Sequence, residues 1–273
     1  MYNEFYGFTE SPFNMTPNSR FFFGSAKHTE ALSTLLYAVR ERKGFVVITG
    51  EIGSGKTTVC RTVLNQLGPD TEFALVTNTH LGAKDLLSTI LEDLGVEHTF
   101  GSKSRLLSQL NQYLIGRLHQ DKNEVLIIDE AQNLKPSVLE EVRMLSNLET
   151  ENEKLIQIIF LGQPELKKKM ALPRLEQLRQ RIAVYFHLTP LSTEDAIAYI
   201  RHRLKVACGG EEKEFFTEQA MLTAAEFSKG VPRIINQVCD SALLSGYVKD
   251  QHIVDEDLME EVVSESPVAQ IVG

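Results

Sequence analysis

The chain has 273 residues, 42% of them apolar and 24% charged, with 28 basic against 37 acidic side chains and a formal net charge of −9. That length buries a sizeable core, in one large domain or a main domain with a smaller companion, and the balance excludes a disordered or fibrous polymer. The acidic excess gives no global field favouring nucleic acid, although a local basic patch can still bind it.

No apolar run approaches the roughly 18 residues needed to cross a bilayer, and "MYNEFYGF" lacks the basic and apolar regions of a signal peptide. The expected location is the cytoplasm, with any role at the inner membrane exercised through a partner. Cys60, Cys208 and Cys239 are widely spaced and form no CxxC pair, which points to reduced packing residues and away from disulfides or zinc.

The chain opens on an arm carrying Phe5, Tyr6, Phe8, Phe13, Phe21, Phe22 and Phe23. So many aromatic side chains cannot stay wet, so the arm is expected to pack on the domain that follows. "ALSTLLYAV" then places apolar residues at 31, 32, 35, 36 and 39, and "DLLSTILEDL" at 86, 87, 90, 91 and 94, both at helical spacing. Five β-rich segments, 45–49, 73–78, 125–129, 155–162 and 184–188, alternate with helical patterns. Their nearly continuous apolar character predicts a five-stranded parallel sheet with helices on both faces, a three-layer αβα domain. After 188–193 the strand signal stops. Helices are expected over 193–207, 217–228, 232–248 and 255–263, the first capped by Ser192 or Thr193, with Gly230 separating the second and third. The predicted division is an α/β domain with its arm over 1–190, a helical domain over 191–264 and a loose tail over 265–273.

The most specific segment is "GEIGSGKTT", which follows the strand "FVVIT" and precedes the helical "VCRTVLNQL". G-x-x-x-x-G-K-T between a strand and a helix is the pattern of a phosphate-binding loop. Gly50, Glu51, Gly53, Ser54, Gly55 and Thr58 shape a backbone that can close on phosphates, Lys56 reaches the β and γ oxygens, and Thr57 ligates magnesium. Downstream, "VLIIDEAQ" delivers Asp129 to the end of an apolar strand, where a carboxylate can complete the magnesium shell. Glu130 then becomes the candidate general base for an attacking water. Gln163 follows the run "IIFLG"; if that strand lies between those of the loop and Asp129, its amide can sense the γ-phosphate and the lytic water.

These parts, with "GVPRIINQVCDSAL" at 230–243, resemble the AAA+ ATPases. The resemblance assigns Arg233 to the γ-phosphate as a second sensor and matches Asn78 to a polar residue that restrains the catalytic glutamate. It also makes Arg179 or Arg181 an arginine finger directed at a neighbouring subunit's nucleotide. The lysine run 167–169 nearby reads as a solvated helix face. Pro12 and Phe13 of the arm fall near the expected adenine.

The "YGF…PF…P…FF" arm, "GFVVITGEIGSGKTT", "IIDEAQNL", "LGQPEL", "LRQRI" and "GVPRIINQVCDSAL" together look like the ExeA/GspA family, including MshM-like pilus and exosortase-associated ATPases. This implies an ATP- and magnesium-dependent homo-oligomer, ring or filament, that assists an inner-membrane secretion, pilus or polysaccharide-export complex. The cell-wall-binding extension of some members is not implied, because the matching motifs stop before it. Transposition ATPases of the TniB/TnsC type share the motifs and bind double-stranded DNA; they are the alternative.

Overall fold

The computed structural model describes residues 2–98, 101–150 and 153–266. Five strands, β1 (Phe45–Gly50), β2 (Thr71–Val76), β3 (Asn123–Ile128), β4 (Gln157–Gly162) and β5 (Ile182–Leu188), form one parallel sheet in the order β2-β3-β4-β1-β5. The strands begin and end within two residues of the predicted runs. β2 and β3 start earlier than their apolar runs because polar residues join the ladder: Thr71 pairs with Asn123, and Glu72 with Glu124. Glu124 tolerates burial there because Arg117 donates to it at 2.7 Å.

The helices up to the fourth strand are α1 (Tyr2–Tyr6), α2 (Ala26–Arg40), α3 (Lys56–Gln66), α4 (Ala83–Asp93), α5 (Lys103–Leu118) and α6 (Pro136–Leu145). Alternate strand residues serve opposite faces of the sheet. On one face Phe45, Val47, Leu126, Ile128, Ile158 and Phe160 share a core with α4, α5 and α6. The Phe45 and Phe160 rings lie parallel with centroids 5.6 Å apart. The alternates Val46, Ile48, Ile127, Ile159 and Leu161 are equally buried, as are Leu35 and Val39 of α2 and Val59 and Val63 of α3. Burial on both faces explains why these strands lack the polar alternation of a half-solvated sheet. The chain continues through α7 (Pro164–Met170) and α8 (Glu176–Gln180) into the edge strand β5.

The remaining helices are α9 (Thr193–Ala207), α10 (Glu218–Ser228), α11 (Pro232–Val248) and α12 (Glu256–Glu265). Ser192 supplies the cap of α9, accepting from the Asp195 N–H at 3.1 Å, and Thr217 and Asp255 cap α10 and α12 in the same way. Gly230 has φ of +72°, and a Cβ there would overlap the Leu191 carbonyl, to whose own residue's N–H the Gly230 carbonyl is bonded at 2.9 Å. Only glycine fits this junction.

By its contacts the chain forms two compact units, the described residues within Met1–His28, Glu51–Thr58 and Thr189–Gly273, and those within Thr29–Gly50 and Val59–Leu188. This corrects the expected place of the arm, which packs with the helices after residue 189. Tyr6, Phe8, Phe13 and Phe21 share one core with α9 to α12. The Thr9 N–H donates to the Ala207 carbonyl at 2.8 Å, and the Tyr6 hydroxyl donates to the Leu243 and Gln251 carbonyls. The sheet already has helices over both faces, whereas the small helical layer gains its core from these rings. Of the predicted tail, residues 267–273 lie outside the described residues.

Candidate functional site

In the helical unit the chemistry gathers on the loop after β1. Gly53 and Gly55 turn it with φ of +79° and +96°, a region that favours glycine. The Ser54 N–H closes on the Glu51 carbonyl at 3.2 Å, and the Lys56 ammonium, only 6% exposed, donates to the same carbonyl at 2.9 Å. The lysine is thus folded over the loop at the N-terminus of α3, where the helix dipole favours an anion. The buried Ser54 hydroxyl has no hydrogen-bond partner, an orphan that suits a site taking up polar oxygens. Thr57 and Thr58 are half-buried, and Gly50 ends β1. Loop shape, buried lysine and threonine together fit a nucleotide's phosphates with magnesium.

Arg233, in the first turn of α11, lies on this loop. Its N–H donates to the Gly53 carbonyl at 3.3 Å, and a Cβ on Gly53 would overlap the Cβ of Arg233. The structure therefore brings the second-sensor candidate and the phosphate loop together. It also adds His28, which the sequence reading missed. The His28 Nε2 is 3.1 Å from the Ser54 carbonyl and its Nδ1 is 2.8 Å from the Ser25 hydroxyl. Since a carbonyl only accepts, Nε2 carries the proton and Ser25 donates to Nδ1. Burial lowers the pKa of His28, against smaller opposing effects of the Ser54 carbonyl and Asp195, which favours the neutral ring. The available signal was the serine three residues before it, at the start of α2.

Pro12 and Phe13 do not form an open platform for adenine. Phe13 is 1% exposed and meets Phe216 edge-on at 6.1 Å, while the Pro12 carbonyl accepts from Arg203 Nε at 2.5 Å. A ring consumed by the helical core has no face left for a base. Arg203, itself 6% exposed, also donates to the Asn14 carbonyl and the Tyr199 hydroxyl and lies over Phe21 at 4.6 Å.

In the sheet unit, β4 does lie between β1 and β3, so Gln163 emerges beside the end of β3. Asp129, 9% exposed, continues β3 with its N–H on the Val76 carbonyl, and its Oδ1 accepts from the Glu130 N–H at 2.9 Å. Cys60 of α3 lies in its field: burial chiefly, then Asp129, pushes that thiol up to about 12, so Cys60 is a packing residue. Glu130 adopts a left-handed backbone with φ of +51°, a conformation that costs a non-glycine residue and tends to mark functional positions.

Two amides hold the Glu130 carboxylate. Gln163 Nε2 donates to Oε2 at 3.1 Å and Gln132 Nε2 to the same oxygen at 2.5 Å, while Gln132 Oε1 accepts from the Gln163 backbone N–H at 3.0 Å. A Cβ on Gly162 would come within 2.9 Å of Gln132 Oε1, so the glycine makes room for this bridge. Lys169 donates to the Gln132 and Leu134 carbonyls, fixing the turn that carries Gln132. One lysine of the run is thereby removed from the solvated face, whereas Lys167 and Lys168 remain exposed. Asn78 accepts from the His80 N–H at 3.2 Å, the bond of a turn residue. The groups that restrain Glu130 are Gln132 and Gln163, and Thr79 donates to the Glu130 carbonyl at 3.2 Å. Arg179 and Arg181 are exposed; Arg179 donates to the Met170 carbonyl at 3.3 Å and Arg181 to the Ser146 hydroxyl at 2.7 Å.

Residues 39–170 match the family described as AAA domain. The chain is 42% identical over 260 residues to General secretion pathway protein A of Aeromonas hydrophila, a match that covers 94% of this chain and 47% of that protein. It therefore spans about half the length of that relative. In fold it is similar to the Aeropyrum pernix ORC2 protein in its ADP form, with a TM-score of 0.74 at 15% identity over 94% of this chain and 73% of that one. The Thermotoga maritima RuvB Holliday junction branch migration motor aligns with a TM-score of 0.60 at 18% identity, over 89% of this chain and 70% of that one.

Proposed function

The chain belongs to the AAA+ ATPases of the ExeA/GspA family, and we propose that it hydrolyses Mg-ATP and that its nucleotide state governs self-association and engagement of an envelope secretion, pilus or polysaccharide-export complex. The observation that carries the hydrolytic part is Glu130, a carboxylate in strained backbone held by two amides next to a buried aspartate at the carboxyl end of β3. A nucleotide store needs no such carboxylate; a hydrolase needs one to orient and deprotonate water.

Lys56 and the loop N–H groups would hold the β- and γ-phosphates, and Thr57 and Asp129 are the residues that would each offer an oxygen to magnesium. When bound, the metal offsets charge on the phosphate oxygens. Glu130 takes the proton of the attacking water, Gln163 links the carboxylate to the phosphate end of β4, and Arg233 reports the γ-phosphate to the helical unit. Arg179 or Arg181 supplies charge to a neighbouring subunit's nucleotide. Among the described residues no helix is long and apolar enough to cross a membrane, which fits engagement through a protein partner.

The test is Glu130→Gln. ATP binding is retained and turnover falls at least about a hundredfold, the scale of losing a general base; unchanged turnover removes Glu130 from the role.

The second reading, an ATP-dependent DNA-binding regulator, draws on the exposure of Lys167, Lys168, Arg174, Arg179 and Arg181 within a single stretch. Hydrolysis and particle mass measured with and without double-stranded DNA at two salt concentrations decide it, because phosphate contacts weaken with salt. A salt-sensitive filament on DNA favours this reading; ATP-driven assembly indifferent to DNA favours the first.

A further inference from the structure

We infer that His28 is a positioning residue for phosphate binding: by fixing the Ser54 carbonyl it aims the Gly55 N–H at the nucleotide. This rests on the phosphate-loop reading and extends it to a residue well before the loop in the chain. In a trans peptide the C=O and the following N–H point in opposite directions. The Ser54–Gly55 peptide has its carbonyl tied to His28 Nε2 at 3.1 Å, so the Gly55 N–H is turned away from His28 and toward the loop's other side. A rotated peptide would present a carbonyl oxygen where an anion needs a donor.

The anchor is built to hold one orientation. The Ser25 hydroxyl fixes the His28 tautomer at 2.8 Å, and the His28 N–H lies 3.4 Å from the same oxygen, so that ring and helix start are held together. His28 is 6% exposed and Ser25 4%. On the loop side, a Cβ at Gly55 would stand 2.9 Å from Nε2. Gly55 is thus glycine both for its φ of +96° and for the close approach of the imidazole. A ring placed merely to fill space would be served by leucine, without a donor aimed at a loop carbonyl.

The experiment uses the full chain with ADP and ATP. His28→Leu removes the donor and keeps the bulk; His28→Gln keeps an N–H donor; Lys56→Ala tests the underlying reading. Affinity is measured by calorimetry and the Gly55 amide proton is followed by NMR as ADP is added. Wild type and His28→Gln bind within about threefold of each other and their Gly55 amide moves downfield. His28→Leu binds about ten- to a hundredfold more weakly, the range for a hydrogen bond to a charged group, with a reduced Gly55 shift. A general loss of packing would not single out that amide. Wild-type affinity in His28→Leu, or an undiminished Gly55 shift, overturns the proposal. If wild type and Lys56→Ala bind alike, the phosphate-loop reading itself fails, a separate result. Should His28→Leu not fold, Ser25→Ala decides: about threefold weaker ADP binding supports the anchor, and unchanged binding refutes it.

Discussion

Substituting Gly53 by alanine tests the junction of the loop with Arg233. The new Cβ would overlap the Cβ of Arg233 and lie 3.3 Å and 3.4 Å from its Cδ and Cγ. The overlapped atom is fixed by the backbone of α11, so no rotamer change relieves it and the start of the helix must move. That movement breaks the bond from the Arg233 N–H to the Gly53 carbonyl, a loss of about 0.5–1.5 kcal/mol. An alanine at φ of +79° adds about 1–2 kcal/mol of backbone strain. The sum, about 1.5–3.5 kcal/mol, lowers the melting temperature by about 3–14 °C at this chain length. ATP affinity falls at least about tenfold, because both the loop and the sensor arginine are displaced. Gly44→Ala is the control, since nothing lies within 4 Å of its added Cβ, and its melting stays within about 2 °C of wild type. Scanning calorimetry and ATP titration of the three proteins suffice. If Gly53→Ala melts with Gly44→Ala and binds ATP as wild type does, Arg233 does not rest on the loop.

Two further perturbations probe other parts of the arrangement. Gln132→Ala removes the acceptor of the Gln163 backbone N–H and should destabilise the protein by about 1–3 kcal/mol, whereas Gln163→Ala, which loses only a side-chain donor, costs less than about 1 kcal/mol; a reversed order in urea titrations contradicts the bridge. Arg203→Met leaves the Pro12 and Asn14 carbonyls without their donor and should accelerate tryptic cleavage at the exposed Arg20, with Arg203→Lys intermediate because an ammonium lacks the planar fork. Unaltered protection of Arg20 would mean that Arg203 does not hold the arm.

Local pattern alone determined much of this protein. The apolar strand runs, the cap at Ser192 or Thr193, and the glycine-lysine loop are short-range features, since propensity, capping and turn chemistry act over a few residues. They fixed the five strands, the four C-terminal helices and the identities of Lys56, Asp129 and Glu130 as candidates. The tertiary structure decided what those residues touch. The aromatic arm reads as something that must be buried, but a ring's apolarity is non-directional and does not name its partner; packing assigned it to α9 to α12, and Phe13 with it. Asn78 matched a position, yet its short side chain reaches the His80 N–H, and the restraint on Glu130 fell to Gln132, whose access depends on Gly162 at the end of β4. His28 stood outside every motif, because a hydrogen bond across 26 residues to the Ser54 carbonyl leaves no periodic trace in the chain.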